Sequence, residues 1–373
     1  GPDPPDAAAP RGRRVPGGHG AHPAHAAAPA ADARAARAAL SDVRLSPAHR
    51  SWLFENLLRG SDAEALVPQL SALGVPEGVS RAEAAQIVAS PDFVGARRVV
   101  AEGRRHTQVV GLLRGVAREG APTLTVDRRP DLTPGEFFER YYATSTPVLL
   151  PGCARAFGAF GRWTPEHLSA RFGDVEIEHV QGRDAERHYD ELTPRLSVRA
   201  PLREYIARVL GASETNDVYF VANNHNLDRP EIAALWDDLG DAGGLLDPRR
   251  RAGCASLWIG PGGTVTPLHH DTCNVFFTQI FGAKRFTLAS PLDTDLLRGA
   301  RAMYAAVDPE DPASIEGVDA RFATVDVEAG DALFVPVGWW HHVRALSVSI
   351  SVAFSGFARP NHFGWYVPGG LRA

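Results

Sequence analysis

Thr266–Lys284 reads TPLHHDTCNVFFTQIFGAK, a β-type pattern that carries a His-X-Asp pair and ends on a lysine. On a strand, side chains two apart share a face, so His269 and Asp271 point one way and His270 the other. That pair is half of a metal site. The apolar run Val275–Phe281 and a turn at Gly282-Ala283 separate it from Lys284.

A third ligand is available downstream, where Gly330–Val343 reads GDALFVPVGWWHHV and sets His341 just after a strand-like run. Two histidines and one carboxylate make the facial triad that holds non-haem iron(II) and leaves coordination positions open. The chain has 38 arginines and one lysine, Lys284, beside these ligands. Lysine is a compact point charge where arginine is a bulky planar fork, so a tight carboxylate pocket inside a barrel accepts the first and excludes the second.

Working outward, many short strands with Gly/Pro turns predict a mainly β domain over 130–373, a sandwich or barrel. Its expected strands are Thr146–Leu150, Val175–Val180, Val218–Val221 with Tyr219, Ala255–Ile259, Arg285–Leu288, Phe322–Val327, Ala332–Val335 and Ser347–Phe354, with helices over Trp163–Phe172 and Ala200–Leu210. A small helical domain is expected over 39–120. Ser46-Pro47 and Ser90-Pro91 pair an N-cap with proline at the first helical position, and Ser80–Glu83 has the form of a capping box. Residues 1–38, rich in Ala, Pro, Gly and Arg, read as a disordered tail, and His19, His22 and His25 within it have nothing around them to build a metal site.

Composition excludes several classes. A net charge of −5 over 373 residues leaves no whole-chain footprint for nucleic acid or an anionic membrane. There is no run of 18 apolar residues, and Cys153, Cys254 and Cys273 are too scattered for a disulfide framework or a Cys-rich zinc site. A cytoplasmic protein is the expectation. The arginine bias resembles a high-GC bacterial proteome, and the opening Gly1-Pro2 has the look of a protease-cleavage scar.

From about Pro130 to Phe357 the chain resembles the JmjC and cupin-like 2-oxoglutarate, Fe(II)-dependent oxygenases, especially the branch containing the asparaginyl hydroxylase of hypoxia-inducible factor. The residues that carry the resemblance are VTPLHHD, FFTQIFGAKR, AGDALFVP and GWWHHV, in that order. It implies a double-stranded β-helix, the cupin or jelly-roll barrel, whose mouth holds Fe(II) through His269, Asp271 and His341. It also implies that Lys284, helped by the hydroxyls of Thr266 and Tyr219, binds the distal carboxylate of 2-oxoglutarate as O2 and the cosubstrate react.

His270 and His342 compete formally as ligands; strand parity disfavours His270, and only motif alignment disfavours His342. Where many relatives have asparagines that hold the cosubstrate's metal-binding end, this chain has Val275 and Ala353, with Asn274 one residue off. Trp339 and Trp340 read as packing residues, and Cys273 as a small apolar lining. The activity implied is hydroxylation of an amino-acid side chain in a peptide or protein. The helical domain lies outside the resemblance; with capped helices and no catalytic groups, it is a candidate docking module for that partner, against the alternative of a structural appendage or dimerisation surface. The competing readings are a hydroxylase of a small metabolite or free amino acid, and a non-catalytic or isomerase-type cupin. The apolar segment Phe363–Val367 is a candidate homodimer contact.

Overall fold

The computed structural model describes residues 45–221, 226–299 and 303–361. The expected tail with its three histidines and the segment Phe363–Val367 lie outside them. The chain divides into two compact units, residues 1–110 and 111–373.

In the first unit, α1 (Pro47–Arg59), α2 (Ala63–Ala72), α3 (Glu77–Ala89) and the start of α4 (Pro91–Gly120) close around Trp52, Leu53, Leu66, Leu70, Ile87 and Phe93. Ser46 caps α1 by accepting the His49 N–H at 3.2 Å, and Ser90 caps α4 by accepting that of Phe93 at 3.2 Å. The capping box expected at Ser80–Glu83 does not form. Helix α3 has already started after Pro76, so Ser80 lies inside it with its hydroxyl donating to the Pro76 carbonyl, and Glu83 pairs with Arg50. The Ser-x-x-Glu spacing is also that of two residues one helical turn apart, and burial of Val79, Ala84 and Ile87 along one face decides between the two.

The second unit is the barrel. Its strands are β1 (Asp127–Arg128), β2 (Val148–Leu150), β3 (Glu176–Gln181), β4 (Ser197–Pro201), β5 (Val218–Tyr219), β6 (Ala255–Gly260) and β7 (Val265–His270). They continue with β8 (Val275–Phe281), β9 (Lys284–Ala289), β10 (Phe322–Val327), β11 (Ala332–Val335), β12 (Trp340–Ala345) and β13 (Ser349–Phe354). A six-stranded sheet in the order β1-β2-β11-β8-β13-β6 faces a four-stranded sheet in the order β10-β9-β12-β7, and a small sheet β4-β3-β5 is tied to β6 by an antiparallel bridge between Phe220 and Ile259. These interleaved antiparallel strands are the jelly-roll barrel expected from the sequence.

Period-two alternation sorts the residues. On β13, Ile350, Val352 and Phe354 join the core outside the barrel with Phe137, Trp163 and Tyr205, while Ser351 and Ala353 point inward. On β9, Phe286 and Leu288 point inward and Arg285 pairs with Asp326 outside. Phe277 meets Phe286 across the two sheets, ring centroids 4.8 Å apart and edge to face, so one end of the barrel is plugged by packed side chains. The other end stays open around the inward polar residues.

Three strands, β1, β4 and β12, escaped the sequence reading. His341 comes after β11, as expected, but is itself the second residue of β12, whose WHHVRA shows no alternation because both of its faces are covered.

Candidate metal centre and its cavity

Strand β7 and the start of β12 are neighbours, with Trp340 opposite His270 and His341 opposite His269. The turn before β12 aims that rung. Gly338, at φ +78°, takes the left-handed conformation a bulkier residue resists, and its N–H donates to the Asp271 carbonyl at 3.1 Å. The result is a group in which one ligand atom each from His269, Asp271 and His341 lie within 4.8 Å of one another. Nε2 of His341 is 3.6 Å from an Asp271 carboxylate oxygen, and the two imidazoles are 4.1 Å apart between centroids.

The tautomers follow from the partners. Nδ1 of His269 lies 2.8 Å from the Pro267 carbonyl and Nδ1 of His341 lies 3.0 Å from the Trp339 carbonyl. A carbonyl only accepts, so both Nδ1 atoms carry the proton and both Nε2 atoms keep a lone pair for a metal. Burial, with the nearby His269, pushes the His341 imidazole down to about 4, so it is neutral at pH 7 and no proton competes with a cation there. Two imidazoles and one carboxylate fit a divalent ion of the iron type.

A bulge explains how Thr266 reaches the same space. Between the His341–His269 and Val343–Thr266 pairs, β7 has two residues, Pro267 and Leu268, where β12 has only His342. The extra residue reverses the parity, and Thr266 and His269 both line the cavity. Pro267, which has no N–H for a ladder, sits at the bulge.

At the far side lies Lys284, the first residue of β9, only 2% exposed. Its ammonium donates to the Tyr219 hydroxyl at 2.8 Å and to the Ser351 hydroxyl at 2.9 Å, and it stands over the Tyr219 ring at 5.3 Å and the Phe277 ring at 5.5 Å. No carboxylate among the described residues pairs with it, and burial alone pushes it down to about 7. Tyr219 is itself buried, which raises its phenol and keeps it protonated, while Arg183 covers its ring at 5.0 Å and donates to the Val265 carbonyl at 2.6 Å.

A cavity of about 310 Å³ joins the two ends. It is lined by the three ligands, by Lys284, Tyr219 and Thr266, and by Trp258, Val275, Phe277 and Ala353, with Asp190, Cys254, Met303 and Tyr304 also on its wall. Val275 and Ala353 are thus in the cavity and offer no amide. Asn274 does not replace them: its side-chain oxygen accepts the Val337 N–H at 2.8 Å, and its main chain is clasped by Asn361, so it holds the turn ahead of β12. Cys273 lines the cavity as a thiol that burial pushes up to about 12.

His270 and His342 fall elsewhere. His270 packs edge-on against Trp340, and the His342 ring nitrogens are 3.9 Å from Asp308 and Glu310. Trp339 joins the barrel core, as a packing residue would. Sequence reasoning missed Ser351 and Arg183. Inward parity within SISVAF could have found Ser351, while nothing local marks Arg183.

A jelly-roll barrel with two histidines and a carboxylate at its mouth and a buried lysine inside defines a JmjC-type cupin. The model of the family described as "Cupin-like domain" matches residues 134–355, and the chain belongs to that family. It is 40% identical over 242 residues to Jumonji C domain-containing protein 5 of Drosophila melanogaster, covering 59% of this chain and 56% of the fly protein. It is 27% identical over 232 residues to lysine-specific demethylase 8 of Xenopus tropicalis (58% and 49% covered), and 35% identical over 221 residues to HSPB1-associated protein 1 of Bos taurus (51% and 44% covered). The chain thus spans about half the length of the curated relatives it matches. Their names do not bear on the narrower likeness to the asparaginyl hydroxylase.

Proposed function

We propose that the protein is a 2-oxoglutarate- and Fe(II)-dependent oxygenase that hydroxylates an amino-acid side chain in a peptide or protein. The observation that carries this reading is the pairing, within one cavity, of a two-histidine, one-carboxylate group able to hold a metal with a buried ammonium that has no carboxylate partner among the described residues. A buried charge is costly without an opposite one, so the cavity calls for an anion. A dicarboxylate cosubstrate supplies it at Lys284.

His269, Asp271 and His341 would hold the iron. Bound there, it supplies the chemistry that couples decarboxylation of 2-oxoglutarate to oxidation of a C–H bond by O2. The chain's own residues do the rest. Lys284, with Tyr219 and Ser351 already on its ammonium, fixes the distal carboxylate, and Thr266 adds a hydroxyl on the same wall. Phe277, Val275 and Ala353 keep that wall apolar and limit water. The backbone carbonyls of Pro267 and Trp339 hold both imidazoles in the tautomer that leaves Nε2 free.

The name of one of these relatives, the lysine-specific demethylase, favours a second outcome of the same oxidation, attack on an N-methyl carbon of lysine, which would release formaldehyde. No helix among the described residues is long and apolar enough to cross a membrane. Among its described residues the helical unit has no cluster of three or more metal-ligating side chains, and its proposed part is to hold the protein partner.

The test is incubation of candidate peptides, including N-methylated ones, with the protein, iron, 2-oxoglutarate and oxygen. Gain of one oxygen on a single residue with matching succinate supports hydroxylation. Formaldehyde with loss of a methyl group turns the assignment to demethylation. Oxidation of only a free amino acid or metabolite removes the peptide reading, and no succinate under any condition removes the oxygenase.

A further inference from the structure

Behind the metal rung lies a second set of polar contacts that reaches residues outside the family match. Trp340, next to His341, is fully buried and meets His270 edge to face at 4.5 Å, so the Trp340–His270 rung backs the His341–His269 rung. The indole N–H donates to the Thr294 hydroxyl at 3.0 Å, and Thr294 in turn donates to the Pro291 carbonyl at 2.6 Å. The preceding residue, Asp293, is a carboxylate only 2% exposed. It accepts the Arg321 backbone N–H at 3.3 Å and the Arg118 guanidinium at 3.3 Å, with Arg114 at 3.9 Å. Arg114 also forks onto Asp295 at 2.8 and 3.0 Å, and Arg118 reaches Asp319 at 2.7 Å.

Arg114 and Arg118 stand one turn apart in the last part of α4, within the barrel unit but ahead of residue 134, where the family match begins. A carboxylate as buried as Asp293 stays in place only while its cationic partners do. Thr294 follows it directly, so the position of the indole partner depends on the same arginines.

We propose that Arg114 and Arg118 are positioning residues for the metal centre, acting through Asp293, Thr294 and Trp340 on the β7–β12 rung that carries His269 and His341. The proposal rests on the reading of His269, Asp271 and His341 as the metal ligands. Partners of this kind around a metal site change its affinity by about 10–100-fold, and the lower figure is expected here because three residues intervene.

The test is cobalt(II) titration of the full chain, followed by the visible absorption of the bound ion. Replacing both Arg114→Gln and Arg118→Gln should weaken cobalt binding about tenfold and alter the band intensities, with Arg118→Lys restoring part of the loss. Trp340→Phe should give a similar loss, and joining it to the double arginine change should add little, because both cut one path. Thr294→Val interrupts the path without disturbing the buried charge and covers the case in which the arginine variants fail to fold. Unchanged cobalt affinity in variants that melt earlier, or losses that simply add, would overturn the proposal and leave the arginines structural. Wild-type protein that binds cobalt no better than His341→Ala would instead overturn the metal reading beneath it.

Discussion

The two ends of the cavity are built differently. At the metal end each imidazole is oriented by a carbonyl two residues before it, and His269 and Asp271 are neighbours in sequence, so the geometry is largely local. At the lysine end Lys284, Tyr219 and Ser351 come from β9, β5 and β13, and both hydrogen bonds of the ammonium join residues more than 60 positions apart. The metal end is complete in ligand types without a ligand. The lysine end has one buried charge and no opposite one among the described residues, and on the proposed reading an arriving anion completes it.

The largest effect separates the ends outright. Asp271→Ala should lower iron(II) or cobalt(II) affinity by at least about a hundredfold, since it removes the group's only anionic ligand. Metal titration checks this, and full-affinity binding by the variant would take Asp271 out of the centre. At the other end, Lys284→Met should abolish measurable 2-oxoglutarate binding while leaving the metal bound. The same change should raise stability by about 1–4 kcal/mol, because an apolar side chain of similar length replaces an uncompensated buried charge. Thermal unfolding and calorimetry on one variant read both signs. A destabilised Lys284→Met that still binds the cosubstrate would make the lysine an ordinary structural residue.

pH gives a graded version. The free ammonium loses its proton near pH 7 because burial disfavours the charged form, and a bound carboxylate favours that form. Cosubstrate binding above that pH must therefore take up a proton, and affinity should fall about tenfold per pH unit on the alkaline side until the pKa of the bound state is reached. The stability of the free protein runs the other way. The unfolded lysine holds its proton to a higher pH than the folded one, so this residue's cost shrinks as pH rises from 7 toward its unfolded value. Isothermal titration in buffers of differing ionisation enthalpy counts the protons directly; no uptake at pH 8 would contradict the assignment.

This asymmetry also accounts for what the sequence disclosed. His-X-Asp, the downstream histidine and the sole lysine were readable because each is a short motif whose geometry a strand dictates locally. Strand β12 was hidden because coverage on both faces removes the alternation that marks a strand. Thr266 was placed by family likeness, and the bulge at Pro267-Leu268 is what lets it share a wall with His269 despite a spacing of three. Arg183 was invisible because its value lies in covering Tyr219, from another segment. The helix starts at Ser46 and Ser90 were legible from capping chemistry, whereas Ser80 shows that a local signal yields when a buried face has already set the helix frame.

The smallest expected effect is the most specific probe of how the lysine end is tuned. Ser351 is fully buried on the inward face of β13, and its hydroxyl accepts from the Lys284 ammonium at 2.9 Å. A hydrogen bond to the charged form holds a pKa up, so Ser351→Ala should lower the lysine's pKa further, and the alkaline loss of cosubstrate affinity should begin at a lower pH than in the wild type. One hydrogen bond to a charged group contributes about 1.5–3 kcal/mol. Tyr219 remains as a second acceptor and a bound carboxylate takes over part of the role, so the expected weakening at neutral pH is at the low end, roughly tenfold or less. Metal affinity should not change, since Ser351 touches none of the three ligands. Measuring 2-oxoglutarate affinity from pH 6 to 9 in both proteins decides the matter. A uniform weakening with the same pH midpoint would mean that Ser351 shapes the pocket without tuning the charge, and a weaker metal site would mean that the two ends are less independent than their construction indicates.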